Sequence, residues 1–129
     1  MTEPLWIVEQ DARTLHDRLL ALYSGALGVR DRGVMDSALA RAKQIYSYAY
    51  NPTVIEMAAA YTAAIVRKRP FIDGNNRTGF LVGVLFLELN GYIFTGSEED
   101  AAQAVLQLAE GTLDEVVYAN FLRVNTRRA

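Results

Sequence analysis

Apolar residues recur three and four positions apart along most of this chain, and the residues between the runs are helix caps and breakers rather than hairpin turns. Leu15, Leu19 and Leu22 make one stripe of a first helix over about Glu9–Ser24, which stops at Gly25. A loop carrying Arg30, Asp31, Arg32 and Gly33 follows. A second helix spans about Asp36–Tyr48, with Asp36 as its cap, and Asn51-Pro52 breaks it. Thr53 and Glu56 form a capping box that opens a third helix reaching Arg67. Its Ala58, Ala59, Ala60, Ala63 and Ala64 permit close approach by neighbours. A fourth helix runs from Thr78 to Asn90 and ends at Gly91, a residue suited to the left-handed cap. Tyr92–Phe94 is a brief extended segment. Ser97 and Asp100 start a fifth helix that ends at Gly111, and Thr112 with Glu115 starts a sixth, carrying Val116, Val117, Phe121 and Leu122. The expected fold is therefore all-α: a compact six-helix bundle, one domain over residues 1–129. The most apolar window, Phe80–Leu89, is expected to be a buried central helix.

Composition narrows the class. The 129 residues can bury one core, and 51% hydrophobic with 22% charged residues excludes a largely disordered chain. A net charge of −2 and a pI near 5.4 argue against a nucleic-acid-binding surface. With no cysteine there is neither a disulfide framework nor a thiolate metal site, which fits a reducing compartment. The opening lacks the basic start and apolar run of a signal peptide, and Phe80–Leu89 is too short to span a bilayer. The expectation is a cytoplasmic protein without membrane or nucleic-acid partners.

The chemistry concentrates in Arg69-Pro70-Phe71-Ile72-Asp73-Gly74-Asn75-Asn76-Arg77-Thr78. Pro70 pushes the residue before it out of the α region, so a tight loop separates the third helix from the fourth. A loop feeding a helix N-terminus offers free N–H groups and the positive end of the helix dipole to an anion. Gly74 lets a phosphate come close to the backbone, and Arg77 offers a planar fork for phosphate oxygens. Asp73 repels phosphates unless a divalent cation bridges them. Together these residues point to a nucleotide polyphosphate with Mg²⁺.

At these positions the chain resembles the Fic/Doc family, whose pattern reads H-P-F-x-(D/E)-G-N-x-R. Pro70, Phe71, Asp73, Gly74, Asn75 and Arg77 match in order and spacing. The resemblance extends to "LHDRLLALYSG", "RDRGVMDSALARA" and "FLELNGY", which look like short Doc (death-on-curing) proteins. It implies a Fic/Doc-type bundle in which the motif loop leads into the central helix. It also implies ATP and Mg²⁺ as cofactors, phosphorylation of a Thr on translation factor EF-Tu, and restraint by a Phd-type antitoxin in a type II toxin–antitoxin module. Asp73 would then hold Mg²⁺, while Gly74, Asn75, Asn76 and Arg77 would hold the nucleotide, with Pro70 and Phe71 structural.

Three departures qualify the match. The family's His, the general base, is here Arg69, and a guanidinium has no lone pair with which to accept a proton. The nucleotidyl-transferring Fic pattern places a second Arg one turn beyond the first, where this chain has Phe80. Asn76 stands where that pattern has Gly and where Doc proteins usually have Lys. No S/T-x-x-x-E-(G/N) self-inhibitory motif is visible: the one Glu followed by Gly or Asn is Glu110, with Leu106 four residues before it. The expectation is a Doc-type kinase inactive or strongly impaired as written. The alternatives are an AMP transferase, which Phe80 disfavours, and a non-catalytic binder of nucleotide or partner, which Arg69 favours.

Several residues carry plainer readings. Arg67 and Lys68 suit a helix C-terminus. Phe71 reads as core. Asn75 reads as a helix cap, a nucleotide contact or both. Tyr46, Tyr48 and Tyr50 read as packing residues rather than an aromatic platform. His16 reads as a partly buried, hydrogen-bonded helix residue far from the motif. Arg30–Gly33 read plainly as a turn; within the Fic/Doc resemblance they fall where target or antitoxin contacts are expected.

Overall fold

Local side-chain chemistry sets where most helices of the computed structural model begin; the structure describes residues 2–129. The elements are α1 (Glu9–Leu22), α2 (Arg32–Tyr48), α3 (Val54–Lys68), α4 (Asn75–Leu89), β1 (Tyr92–Phe94), α5 (Glu98–Glu110), α6 (Glu115–Val124) and β2 (Thr126–Arg128). Thr53 accepts from Glu56 N–H at 3.1 Å, Ser97 from Asp100 N–H at 3.1 Å and Asp114 from Val117 N–H at 2.8 Å. Each bond satisfies one of the donors that a helix start leaves open.

Three starts and one end differ from expectation. Asp31, not Asp36, caps α2: its carboxylate accepts from Val34 N–H at 3.1 Å, so Arg32 and Gly33 are helical and Asp36 lies inside the helix. Helix α4 begins at Asn75 rather than Thr78, because Gly74 turns the chain in the left-handed region (φ 74°). Asn75 is therefore the first helical residue and not the cap. Helix α1 ends at Leu22, two residues early, and Asp114 rather than Thr112 caps α6.

The central helix is α3, not α4. Every residue from Met57 to Val66 is buried, and α2, α4, α5 and α6 all pack on it. Its alanines allow this, since a small side chain brings a neighbouring backbone close on any face. Helix α4 buries one side only; Leu89 is exposed. Where α3 and α4 face each other the spacing is tight. A Cβ at Gly83 would collide with Thr62 Oγ1 and lie 3.2 Å from the Ala58 carbonyl, and one at Gly79 would lie 2.9 Å from Val66 Cγ1.

Strands are few. β1 pairs antiparallel with β2, Tyr92 opposite Arg128 and Phe94 opposite Thr126. The extended reading of Tyr92–Phe94 holds, and its partner at the end of the chain is too short to show alternation. Tyr46 packs edge-on against Trp6, whereas Tyr48 and Tyr50 are exposed and form no shared face with it. Ile7 N–H donates to Tyr61 Oη at 3.1 Å, tying the N-terminal segment to α3; burial pushes the Tyr61 hydroxyl up to about 12. Among the described residues no helix is long and apolar enough to cross a membrane.

Candidate functional site

The connection from α3 to α4 is held from both sides, and the alternation of an extended chain explains how. Arg30 N–H donates to the Pro70 carbonyl at 2.7 Å, and Ile72 N–H donates to the Gly28 carbonyl at 3.1 Å. These groups face the segment before α2, where Val29 bridges Phe71. The N–H and C=O of Phe71 point the other way, toward the start of α4. There the Asn75 amide takes both: Phe71 N–H donates to Asn75 Oδ1 at 2.9 Å, and Asn75 Nδ2 donates to the Phe71 carbonyl at 3.0 Å. Asn75 is 1% exposed, so this amide is the loop's internal clamp. Arg30 adds two charged bonds, Nε to the Arg69 carbonyl at 2.8 Å and Nη2 to the Lys68 carbonyl at 2.9 Å. Of the segment expected to meet a partner, Arg30 is exposed but spends its guanidinium on the carbonyls at the end of α3. Its bonds close the C-terminus of α3 at Arg69, a non-glycine residue in the left-handed region (φ 54°).

Helix α1 supports the loop from beneath. Phe71 is buried, as expected, and stacks on His16 with ring centroids 3.9 Å apart and planes 9° off parallel. His16 Nε2 donates to the Asp73 carbonyl at 2.7 Å. A carbonyl can only accept, so Nε2 carries the hydrogen. His16 is hydrogen-bonded as expected, but it is fully buried and lies directly under the motif, not far from it. The end of α1 closes the same space: a Cβ at Gly25 would lie 3.0 Å from Asp73 Oδ2 and 2.9 Å from Leu20 Cδ2.

These contacts shape a pocket of about 360 Å³ between the C-terminal end of α1 and the N-terminal end of α4. Leu19, Leu20, Tyr23 and Ser24 form one wall, and Arg69, Asp73, Gly74, Asn75, Asn76 and Arg77 form the other. All the polar residues that the sequence singles out are therefore brought together, while Pro70 and Phe71 are buried behind them. Arg69, Asp73 and Arg77 are exposed at the rim. Asp73 Oδ1 accepts from Gly74 N–H at 2.9 Å, which aims the carboxylate across the loop. Thr78 N–H makes the first backbone bond of α4, to the Gly74 carbonyl at 3.0 Å. The N–H groups of Asn76 and Arg77 precede it and carry the positive end of the dipole. Asn76 Oδ1 is buried without a hydrogen-bond partner. The Arg77 guanidinium lies over the Tyr23 ring, Cζ 4.0 Å from its centroid.

Phe80, one turn further on, faces away from charge. It packs edge-on against Phe94 at 5.3 Å, and Phe94 in turn meets Phe121 at 6.1 Å. Among the described residues no group of three His, Asp or Glu could hold a metal alone. A donor set with one carboxylate suits Mg²⁺ carried on phosphates, because Mg²⁺ keeps several waters and takes few protein ligands.

The contribution of α1 is the part that sequence reasoning missed. Leu19, Leu20 and Tyr23 read as an ordinary helix end, and nothing in their spacing ties them to residues some fifty positions later. His16 carries a faint signal, being the only histidine and lying on the apolar side of its helix.

The stretch that holds this site is also one that matches known proteins. Residues 6–87 match the profile of the Fic/DOC family. The chain is 33% identical over 95 residues to the protein named Toxin Doc from Mycolicibacterium smegmatis, spanning 73% of this chain and 68% of that protein. It is 29% identical over 117 residues to the protein named Protein kinase doc from Escherichia phage P1, spanning 91% and 92%.

Proposed function

This chain belongs to the Fic/DOC family and is similar to Doc toxins, and from that premise we propose that it is a Doc-like toxin whose nucleotide site persists while its base position is blocked. The chemistry proposed for the site is transfer of the γ-phosphoryl group of ATP to a Thr of EF-Tu, with a Phd-type antitoxin as its restraint. One observation carries the reading: Asp73, Arg77 and the start of α4 line the pocket together with Arg69.

The residues present fit Mg²⁺ and a polyphosphate. Arg77 and the first N–H groups of α4 would hold phosphate oxygens, Gly74 leaves the approach clear, and Asp73 would meet the cation. When bound, Mg²⁺-ATP supplies the transferable phosphoryl group and neutralises its charge. The protein's own task is to position the nucleotide, exclude alternative geometries and take a proton from the target hydroxyl. Arg69 cannot perform the last step, since its guanidinium has no acceptor lone pair. His16 does not replace it, because the ring is buried and Nε2 is committed to the Asp73 carbonyl. Losing a positioned base costs about 10²–10⁴-fold in rate.

Phe80 favours the phosphoryl reading over AMP transfer. It contributes to an aromatic cluster and offers no charge to an α-phosphate. The second reading, a family member that binds without chemistry, is favoured by Arg69 itself.

The test restores the base. Arg69→His is incubated with EF-Tu and Mg²⁺-ATP beside the unaltered chain, and EF-Tu is followed by intact-mass spectrometry. A phosphoryl-sized adduct with release of ADP is expected from the His variant, and little or none from the Arg protein. An AMP-sized adduct overturns the kinase reading. No adduct from the His variant, with nucleotide still bound, favours the non-catalytic reading.

A further inference from the structure

Arg77 is an exposed side chain in the first turn of α4, yet its guanidinium rests on an aromatic face with Cζ 4.0 Å from the ring centroid of Tyr23. Tyr23 comes from another part of the chain, at the C-cap of α1, where its N–H donates to the Leu19 carbonyl at 2.9 Å. Its ring is half exposed, but its backbone is anchored. The contacts that fix α1 against the motif loop are those of His16 with the Asp73 carbonyl and with the Phe71 ring. The platform under Arg77 is therefore registered to the same loop that carries Asp73.

We infer that Tyr23 is the positioning residue for Arg77, holding the guanidinium by its face so that its N–H edge is presented, ordered and unpaired, to a ligand phosphate. This rests on the reading of Arg77 as a phosphate contact. The geometry distinguishes a ring from the more usual partner of an Arg. A carboxylate would bind the N–H edge and compete with phosphate for the same donors, whereas a ring occupies only the face. Among the described residues Arg77 has no ion-pair partner, although Asp73 lines the same pocket. An exposed Arg otherwise samples many rotamers and must be ordered when ligand binds; stacking on Tyr23 orders it beforehand. The hydroxyl of Tyr23 plays no part, so a phenyl ring should serve equally.

The test separates stacking from phosphate binding. In the ligand-free protein, NMR should show the Arg77 Hδ and Hε signals shifted upfield by the ring current. The shift should persist in Tyr23→Phe and vanish in Tyr23→Leu; an unshifted Arg77 in the unaltered protein overturns the inference whatever the ligand does. Calorimetric titration with Mg²⁺-ATP then reads the consequence. Tyr23→Leu should weaken binding about 2- to 5-fold, the worth of an exposed cation–π contact. Tyr23→Phe should match the unaltered protein, and Arg77→Ala should weaken binding more than Tyr23→Leu. In the Arg77→Ala background, Tyr23→Leu should cost nothing further. A further loss there shows that Tyr23 touches the nucleotide itself and overturns the positioning role, as does unchanged affinity in Tyr23→Leu while Arg77→Ala is impaired. If Arg77→Ala binds Mg²⁺-ATP normally while the ring-current shift is present, it is the phosphate-site reading that has failed, and the purpose assigned to the stack falls with it. Melting curves of Tyr23→Leu and Tyr23→Phe that superimpose on the parent exclude misfolding as the cause of any loss.

Discussion

Replacing Asn75 by Ala removes the two hydrogen bonds that hold the Phe71 backbone on the side of α4. The residue is 1% exposed and Phe71 is buried with it, so water does not readily take over either bond. Leaving a buried donor and a buried acceptor unpaired costs about 1–3 kcal/mol each, and Ala recovers about 0.5 kcal/mol through its better helix propensity. The net expectation is a loss of about 1.5–5.5 kcal/mol, a substantial share of the roughly 5–15 kcal/mol that holds such a domain folded. In urea this should lower the unfolding midpoint by roughly 1–3 M with little change in slope. Native-state hydrogen exchange should show the Phe71 amide losing protection more than amides in the middle of α3. Asn75→Asp is the discriminating control. It keeps the acceptor for Phe71 N–H but sets a carboxylate oxygen against the Phe71 carbonyl, so it should not rescue the loop. If Asp restores stability, or Asn75→Ala costs less than about 0.5 kcal/mol, the clamp is not what orders this connection.

Three other outcomes follow from the structure. Gly83→Ala should destabilise by about 1–3 kcal/mol in thermal or urea unfolding, since its Cβ would press on Thr62 Oγ1 and the Ala58 carbonyl; a neutral result means that α3 and α4 separate easily. Saturating Mg²⁺-ATP should raise the melting temperature of the unaltered chain, with about 2.7 kcal/mol of stabilisation at 100 times the Kd, and Arg77→Ala should abolish the rise. Tyr61 is raised to about 12 from an ordinary value of 10, so above pH 10 the unfolded chain releases its proton first and the folded state loses stability until about pH 12. Tyr61→Phe should make the fall in stability between pH 10 and 11.5 shallower by up to about 1.4 kcal/mol per pH unit, and an unchanged slope refutes the assignment.

The all-α class and the number of helices are legible in the sequence because they depend on signals a few residues apart. Thr53, Ser97 and the glycines at 91 and 111 act on their own turns, and the structure uses each as expected, with Glu56 and Asp100 contributing their backbone N–H groups rather than the return bond of a full capping box. The limits slip where two local choices compete: Asp31 and Asp36 are both competent caps, and only the packed chain selects Asp31. The gathering of Asp73, Gly74, Asn76 and Arg77 at one place was equally legible, since they are neighbours at a loop-to-helix junction. So was the absence of a histidine at Arg69.

Tertiary structure decided the rest. That α3 and not α4 is the central helix follows from side-chain size, because alanines admit neighbours on every face while hydropathy ranks the Leu- and Phe-rich α4 higher. Asn75 became a clamp on Phe71 rather than a cap because Gly74 had already turned the chain. The wall supplied by α1 could not be read in advance. His16 meets the Asp73 carbonyl across 57 positions, and Tyr23 reaches Arg77 across a comparable span. Contacts between distant residues leave no periodicity behind, so the sequence declared the chemistry of one side of the pocket, and packing of α1 against the loop determined what that chemistry would face.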